Sequence, residues 1–249
     1  MANDVSDDAV TALAPSGRLR AAINFGNTVL AQKDPATGEP RGVSAELARE
    51  LARRLGVAID FVAFDAAGKV FDALAAGAWD VAFMAIDPVR AAAIDFTGPY
   101  VLIEGSYVVP SSSPLRTVAQ VDSDGVRVAA ARGSAYELHL SRTLKRATLV
   151  REPSGPEALA RFLRDRLEAA AGVKQPIVAF AKANAGLRVI EKPFMAIEQA
   201  MGTPKGRAAG ARYLHEFIEE MKASGFVAGA LERSGQADAA VAPPSPMPA

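Results

Sequence analysis

The sequence predicts an α/β protein built as two bodies joined by extended crossings, with a ligand cleft between them. Three observations predict it. Val81, Phe83 and Met84 form a short apolar run bounded by Gly77 and by Asp87-Pro88. Its alternation is too weak for a strand with one wet face and suits a buried parallel strand. Strand-like and helix-like patterns alternate from residue 18 to residue 90, the order that builds a parallel sheet covered by helices. After a Ser/Pro linker, SSSPLRT at 111–117, a second alternating set begins.

In chain order, Arg18 to Phe25 reads as the first strand and opens onto a loop from Gly26 to Gly42, whose DPATGEPRG is a turn excursion rather than an element. Ser44 is the expected cap of a helix that places Glu46, Leu47, Leu51 and Leu55 at helical spacing and closes at Gly56. Val57 to Phe64 is the second strand, and a helix from Gly68 to Ala76 leads to the third. There Asp87 is a good N-cap and Pro88 a good first helical residue, so a short helix begins above the strand end. Arg90 lies in that first turn, where a permanent cation opposes the helix dipole; an anionic ligand would explain it. Ligands of such sheets gather at the carboxyl ends of the strands, here Phe25, Asp65 to Lys69, and Asp87 to Arg90, with Ala85 closing the third strand.

Beyond Tyr100, VLIEGSYVVP is a strand long enough to leave one body. In the second set, strands are expected over 126–131, 148–151, 167–171 and 187–190, with helices over 136–145, 156–164 and 175–183. Ala196 to Thr203 returns to the first body, and Ala208 to Ser224 is a long amphipathic helix with Tyr213, Leu214, Phe217, Ile218 and Met221 on one side. The domain bounds that follow are 18–109 plus 198–235 for the first body and 110–197 for the second. The Ala/Pro-rich stretch 236–249 is expected as a disordered tail.

Composition narrows the function. Twenty-eight basic and twenty-eight acidic residues cancel in the 249-residue chain, so no global charge recruits nucleic acid or an acidic membrane. No cysteine is present, which removes disulfides and thiolate chemistry. His139 and His215, far apart and each in a helical pattern, read as solvated helix residues, and no metal or cofactor site is expected. No stretch approaches the roughly 18 apolar residues of a membrane span. The opening residues carry acids where a signal peptide carries bases. The chain as written is therefore expected in the cytoplasm, or in the periplasm if a leader has been removed. GTPKGR at 202–207 lacks the ending of a phosphate loop and reads as a turn.

The runs GVSAELARELARRLGV, FDALAAGAWDVAF, then Arg90, IDFTGPY and GVRVAAARGSAYE occur in an order that resembles the bacterial extracellular solute-binding proteins of family 3, which serve polar amino-acid ABC importers. The resemblance spans residues 18–235. It implies two Rossmann-like lobes of the type II periplasmic-binding fold that close by hinge motion on a small polar ligand. It further implies that Arg90 grips a ligand carboxylate, that Ser134 completes the anion site from the second lobe, and that Phe25 lays a ring against the ligand. Asp87 stands where the family commonly has a Thr. The carboxylate that pairs a ligand ammonium would lie a few residues beyond Glu168, at the position of Val173.

An ammonium buried without a counter-ion is costly, so a small carboxylate is favoured over an α-amino acid unless Asp87 or Glu104 supplies the charge. Lys69, Arg90 and Arg132 are three cations near strand ends that suit more than one anionic group. The expected ligand contacts are thus Phe25, Lys69, Ala85, Asp87, Arg90, Arg132, Ser134, Glu168 and Val173. The expected function is a monomeric protein that captures a small carboxylate-bearing metabolite for an ABC permease or a sensor, without chemistry. The alternative is an enzyme on the same fold, of the cyclohexadienyl dehydratase type, with Asp87, Glu104 or Glu168 as general acid.

Overall fold

The computed structural model describes residues 5–247. The elements in chain order are α1 (Asp7–Leu13), β1 (Arg18–Asn24), β2 (Gln32–Lys33), β3 (Pro40–Arg41), α2 (Val43–Leu55), β4 (Ala58–Phe64), α3 (Ala67–Asp72), β5 (Val81–Ala85), α4 (Pro88–Ala91) and the long β6 (Ile94–Pro110). They continue with α5 (Val118–Val121), β7 (Arg127–Ala131), α6 (Ala135–Thr143), β8 (Thr148–Glu152), α7 (Gly155–Arg164), β9 (Ala169–Val173), α8 (Lys174–Ala183) and β10 (Leu187–Val189). The chain ends with β11 (Met195–Pro204), α9 (Ala208–Ala223), α10 (Phe226–Arg233) and β12 (Ala240–Val241). Two compact units result: among the described residues, 5–65, 69–102 and 198–247 form unit 1, and 66–68 and 103–197 form unit 2. Within β6 the division falls at 102/103, earlier than the 109/110 read from the sequence.

Unit 1 is organised around β1. It pairs in parallel with β4 from Arg18↔Ala58 to Asn24↔Phe64 and with β5 at Ala21↔Val81, while β11 runs antiparallel beside β5 from Gln199↔Ala85 to Gly202↔Ala82. All five residues of β5 are buried, which is why its sequence lacks alternation. Leu47, Leu51 and Leu55 line the buried face of α2, each such side chain contributing about 1.5–3 kcal/mol. The helix starts one residue before the expected cap: Gly42, at φ 97°, is the N-cap, and Ser44 is buried with its Oγ 3.2 Å from the Tyr100 hydroxyl. A Cβ on Gly42 would meet the Leu30 carbonyl oxygen at 2.7 Å, so glycine is required there on two grounds.

Asp80, with no exposure, ties together the amino ends of β1 and β5 and the carboxyl end of the antiparallel β11. Arg20 of β1 donates to its carboxylate through Nε and Nη2, both at 2.8 Å, and Arg207, just before α9, donates at 3.0 Å. Arg207 also reaches the Ala12 carbonyl oxygen of the α1 segment at 3.0 Å, and Thr203 Oγ1 of β11 donates to the Asp80 backbone oxygen at 3.0 Å. Burial alone would raise the Asp80 pKa, but the hydrogen bonds from Arg20 and Arg207 hold it below the ordinary aspartate value. This network accounts for GTPKGR, whose arginine and threonine are structural.

Several expectations are corrected here. His215 is buried and its Nδ1 accepts a hydrogen bond from Gly98 N at 3.3 Å, so it is a structural acceptor rather than a solvated residue. His139 stacks on Phe194. The loop 26–42 contains the small β2–β3 hairpin, joined by an Asp34 carboxylate that caps Ala36 and Thr37. The segment after Gln236 is not left loose: Ala240 and Val241 pair with Leu102 and Val101 of β6, Ala239 and Ala242 are buried, and Lys222 Nζ donates to the Pro243 carbonyl oxygen at 2.8 Å. Its last two residues, 248 and 249, lie outside the described residues, as do 1–4 at the other end.

Unit 2 repeats the design. β7 lies between β8 and β9, parallel to both, and β6 joins antiparallel to β9 over Gly105↔Val173 to Val108↔Ala170, with β10 antiparallel to β6. Strand β9 begins two residues later than expected, because Leu167 N still donates back to the Phe162 carbonyl oxygen of α7. Between β7 and α6, Ser134 is the N-cap, accepting from Glu137 N at 3.1 Å, and the buried Glu137 carboxylate braces the loop from beneath. It accepts from Gly133 N at 3.0 Å, Ser141 Oγ at 2.6 Å and Arg151 Nε at 2.7 Å. Burial raises its pKa, but these bonds outweigh that and hold it below the ordinary glutamate value.

Two predictions follow from these carboxylates. Asp80→Asn removes the charge that two guanidinium groups address and is expected to cost about 3–5 kcal/mol in urea unfolding at neutral pH. Because the folded pKa is depressed, this contribution is present above the ordinary aspartate pKa and disappears as pH falls through the folded value. The gap between wild type and variant should therefore close in acid; a gap independent of pH would contradict it. Glu137→Gln is expected to cost about 1–3 kcal/mol and to speed amide hydrogen exchange of Gly133, with the same closing of the gap in acid.

Candidate functional site

In unit 1 the carboxyl ends of β4, β1 and β5 bring together Asp65, Phe25 and the loop after Ala85. Ala85 is buried at the end of its strand, and its carbonyl oxygen accepts from Arg90 Nη1 at 2.9 Å. Arg90 is only 1% exposed, and burial pushes its guanidinium down to about 10 while Asp87 opposes the shift; it remains a cation at neutral pH. Asp87 is buried and caps α4, with Oδ1 accepting from Val89 N at 2.9 Å. That helix is four residues long, so the site here is made by side chains and not by a helix terminus. Lys69 pairs with Asp65 at 2.8 Å, both half exposed. Phe25 is half-buried, with Lys33 Nζ 5.1 Å from its ring centroid.

The sequence reading missed two neighbours of this loop, both brought in by β11 from more than a hundred residues away. Gln199 is buried opposite Ala85, and Glu198, exposed, accepts from Ile86 N through its backbone oxygen at 2.9 Å. No local pattern could have pointed to them, since only the antiparallel register sets them beside β5.

In unit 2 the loops after β7 and β9 carry Arg132, Ser134, Val173 and Lys174. Arg132 is exposed and makes no ion pair among the described residues, while Ser134 is buried. Val173, half-buried, is the N-cap of α8 and offers no side-chain cap. Lys174 follows it and pairs with Glu104 Oε2 at 2.5 Å. Glu104 therefore belongs to unit 2 and already holds a cation, which removes it as a first-lobe acid. Glu168 is not brought to this end. It precedes β9 at the amino end of the sheet, where its carboxylate accepts from Arg127 Nε at 2.9 Å and Arg127 N at 2.8 Å. Also within unit 2, Gly68 and Gly133 meet backbone to backbone; a Cβ on Gly133 would lie 2.8 Å from Gly68 Cα.

No group of residues able to hold a metal ion occurs among the described residues, and none of their helices is long and apolar enough to cross a membrane. No curated protein matches the chain. Among solved structures, it is similar to the solute receptor for L-cysteine of Neisseria gonorrhoeae, at 24% identity and a TM-score of 0.77, covering 91% of this chain and 93% of that one. An L-arginine-bound amino acid ABC transporter substrate-binding protein from Streptococcus pneumoniae is 20% identical with a TM-score of 0.76, over 94% and 99% of the two chains. An ancestral amino acid-binding protein described as a precursor of cyclohexadienyl dehydratase is 23% identical with a TM-score of 0.74, over 90% and 97%. These likenesses establish the fold, that of type II periplasmic-binding proteins. The family description that matches residues 30–236, most of the chain, reads bacterial extracellular solute-binding proteins, family 3, and it is to this family that the chain belongs.

Proposed function

We propose that this protein captures a small carboxylate-bearing metabolite, an organic acid or an amino-acid-like compound, and passes it unchanged to an ABC-type importer or a sensor. The observation that carries the reading is Arg90, a buried guanidinium at the carboxyl end of β5, anchored by the Ala85 carbonyl oxygen. An arginine fork fixed in this way suits bidentate recognition of a carboxylate. Asp87, Ala85 and Phe25 lie with it at the carboxyl ends of the unit 1 strands, and within unit 2 the loops after β7 and β9 carry Arg132, Ser134 and Val173. Work outside the cytoplasm, as the family description implies, fits this role.

The dehydratase-type alternative needs a carboxyl group available as an acid. Asp87 is committed to capping α4, Glu104 to Lys174, and Glu168 to Arg127 at the far end of its sheet. Binding without chemistry is the better supported reading.

The test is mass spectrometry of small molecules released on denaturing the purified protein, with a thermal-shift screen of carboxylates and amino acids. A retained compound that raises the melting temperature by mass action and survives incubation unchanged supports the proposal; its conversion to a product would replace it with the enzyme. Arg90→Ala would also lose buried packing, so the sharper variant is Arg90→Lys, which keeps the charge and loses the fork. It is expected to weaken binding by about tenfold or more in calorimetry while the ligand-free protein still melts cooperatively. Unchanged affinity would remove Arg90 from the site.

A further inference from the structure

We infer that unit 1 carries a groove for an extended peptide, filled in this structure by the chain's own residues 239–245, which act as a strap that can leave and rebind. Residues 98–102 of β6, the last turns of α9 and the strap all belong to unit 1. The strap lies beyond residues 30–236, the stretch that matches the family, so membership of the family does not account for it. The inference is independent of the proposed solute-binding function.

The groove reads backbone groups, as a site for a peptide must. Ala240 and Val241 pair antiparallel with Leu102 and Val101, and Ala242 N donates to the Tyr100 carbonyl oxygen at 3.1 Å. Pro243 and Pro244 then end the ladder, since neither has an N–H to continue it. Side chains of α9 take over at that point. Lys222, whose side chain is only 4% exposed, donates to the Pro243 carbonyl oxygen at 2.8 Å, to the Pro99 carbonyl oxygen at 3.1 Å and to Glu219 Oε1 at 2.6 Å. These partners use all three donors of its ammonium. Glu219 Oε2 in turn accepts from Ser245 N at 3.2 Å. A base and an acid on one helix turn thus read a carbonyl and an N–H of the strap two residues apart. The floor is shaped for the same segment: a Cβ on Gly98 would lie 2.5 Å from Ser245 Cβ.

The strap is held lightly. Its strand is two residues long, and its buried side chains are two alanines, Ala239 and Ala242, which remove far less apolar surface from water than a leucine would. A cavity of about 340 Å³ lies beside it, lined by Glu219, Lys222, Ala223, Val241, Ala242 and Pro244, so the segment is not packed as a core element is. Segments attached in this way open at free energies well below that of global unfolding. The ligand class follows from the contacts: an extended segment with small side chains where the strap has Ala239 and Ala242, a carbonyl for Lys222 and an N–H for Glu219.

The experiment uses the full chain carrying Ala242→Pro, which removes the N–H given to Tyr100, and a fluorescein-labelled peptide of residues 237–247 read by anisotropy. In the wild type the tethered strap competes at an effective concentration on the order of millimolar, so the peptide is expected to bind the variant at least about tenfold more tightly than the wild type. Hydrogen exchange across Tyr100–Leu102 is expected to quicken in the variant and to slow again when the peptide is added. Adding Lys222→Met to the variant should weaken the peptide by about tenfold or more, and adding Gly98→Ala, which alters no charge, by a similar factor. Quickened exchange with no peptide binding, or equal binding to wild type and variant, would overturn the peptide groove. Exchange left unchanged by Ala242→Pro and by a second strap variant, Val241→Asp, would overturn the detachable strap. Peptide affinity undiminished by both Lys222→Met and Gly98→Ala would overturn the roles given to α9 and to the floor.

Discussion

Unit 1 depends on one buried charge. The Asp80 carboxylate receives guanidinium groups from Arg20 and Arg207, and through Arg207 it also reaches the α1 segment. Chain segments from residues 12–20, from residue 80 itself and from residues 203–207 converge on it. A charge without exposure is tolerated only when it is paired and fully hydrogen-bonded, so every participant is constrained by the others. Because this knot sits at the amino ends of β1 and β5, the opposite ends carry no comparable structural duty. That division leaves the loops after β1, β4 and β5 as the place where the proposed ligand contacts of unit 1 stand.

Unit 2 reaches the same division differently. Its amino end is closed by the Arg127–Glu168 pair, half exposed and individually weak. Its carboxyl end is braced by Glu137 beneath the Gly133–Ser134 loop. A carboxylate inside the first turn of α6 fixes that loop's backbone by taking Gly133 N, and Ser134 takes Glu137 N. The loop is thus held in shape by its own side chains; if it meets a ligand as proposed, that lowers the ordering cost of binding.

The fold was legible because its signals are local. The unalternating apolar run of β5, the Asp87-Pro88 helix start and the leucine spacing of α2 each follow from backbone geometry and burial within a few residues. Elements that were missed lack such signals: α1 is seven residues long, and β12 has two, held by pairing with β6 rather than by propensity. Among the candidate residues, Arg90 and Ser134 were legible as loop positions because each follows a strand in sequence. Glu198, Gln199 and the Glu104–Lys174 pair were not, since antiparallel strands distant in sequence bring them together. Glu168 was misread by an offset of strand register: the strand begins at Ala169, so its acid faces the wrong end. Buried arginine is rare enough that exposure is the natural assumption from sequence alone; Arg90 departs from it.

The pairing of β12 with β6 has a further consequence. At Val101 and Leu102 the long crossing strand would otherwise present bare amide and carbonyl groups along a hydrophobic edge. Such edges recruit foreign strands and seed intermolecular sheets. The chain's own Pro-rich end lies over this one, with Ala242 N donating to the Tyr100 carbonyl oxygen at 3.1 Å. Proline cannot extend a ladder, so the segment that covers the edge does not offer a comparable one in its place. The Ala/Pro composition that marked these residues as unstructured thus leaves β6 covered by a segment that is itself a poor template for a further strand.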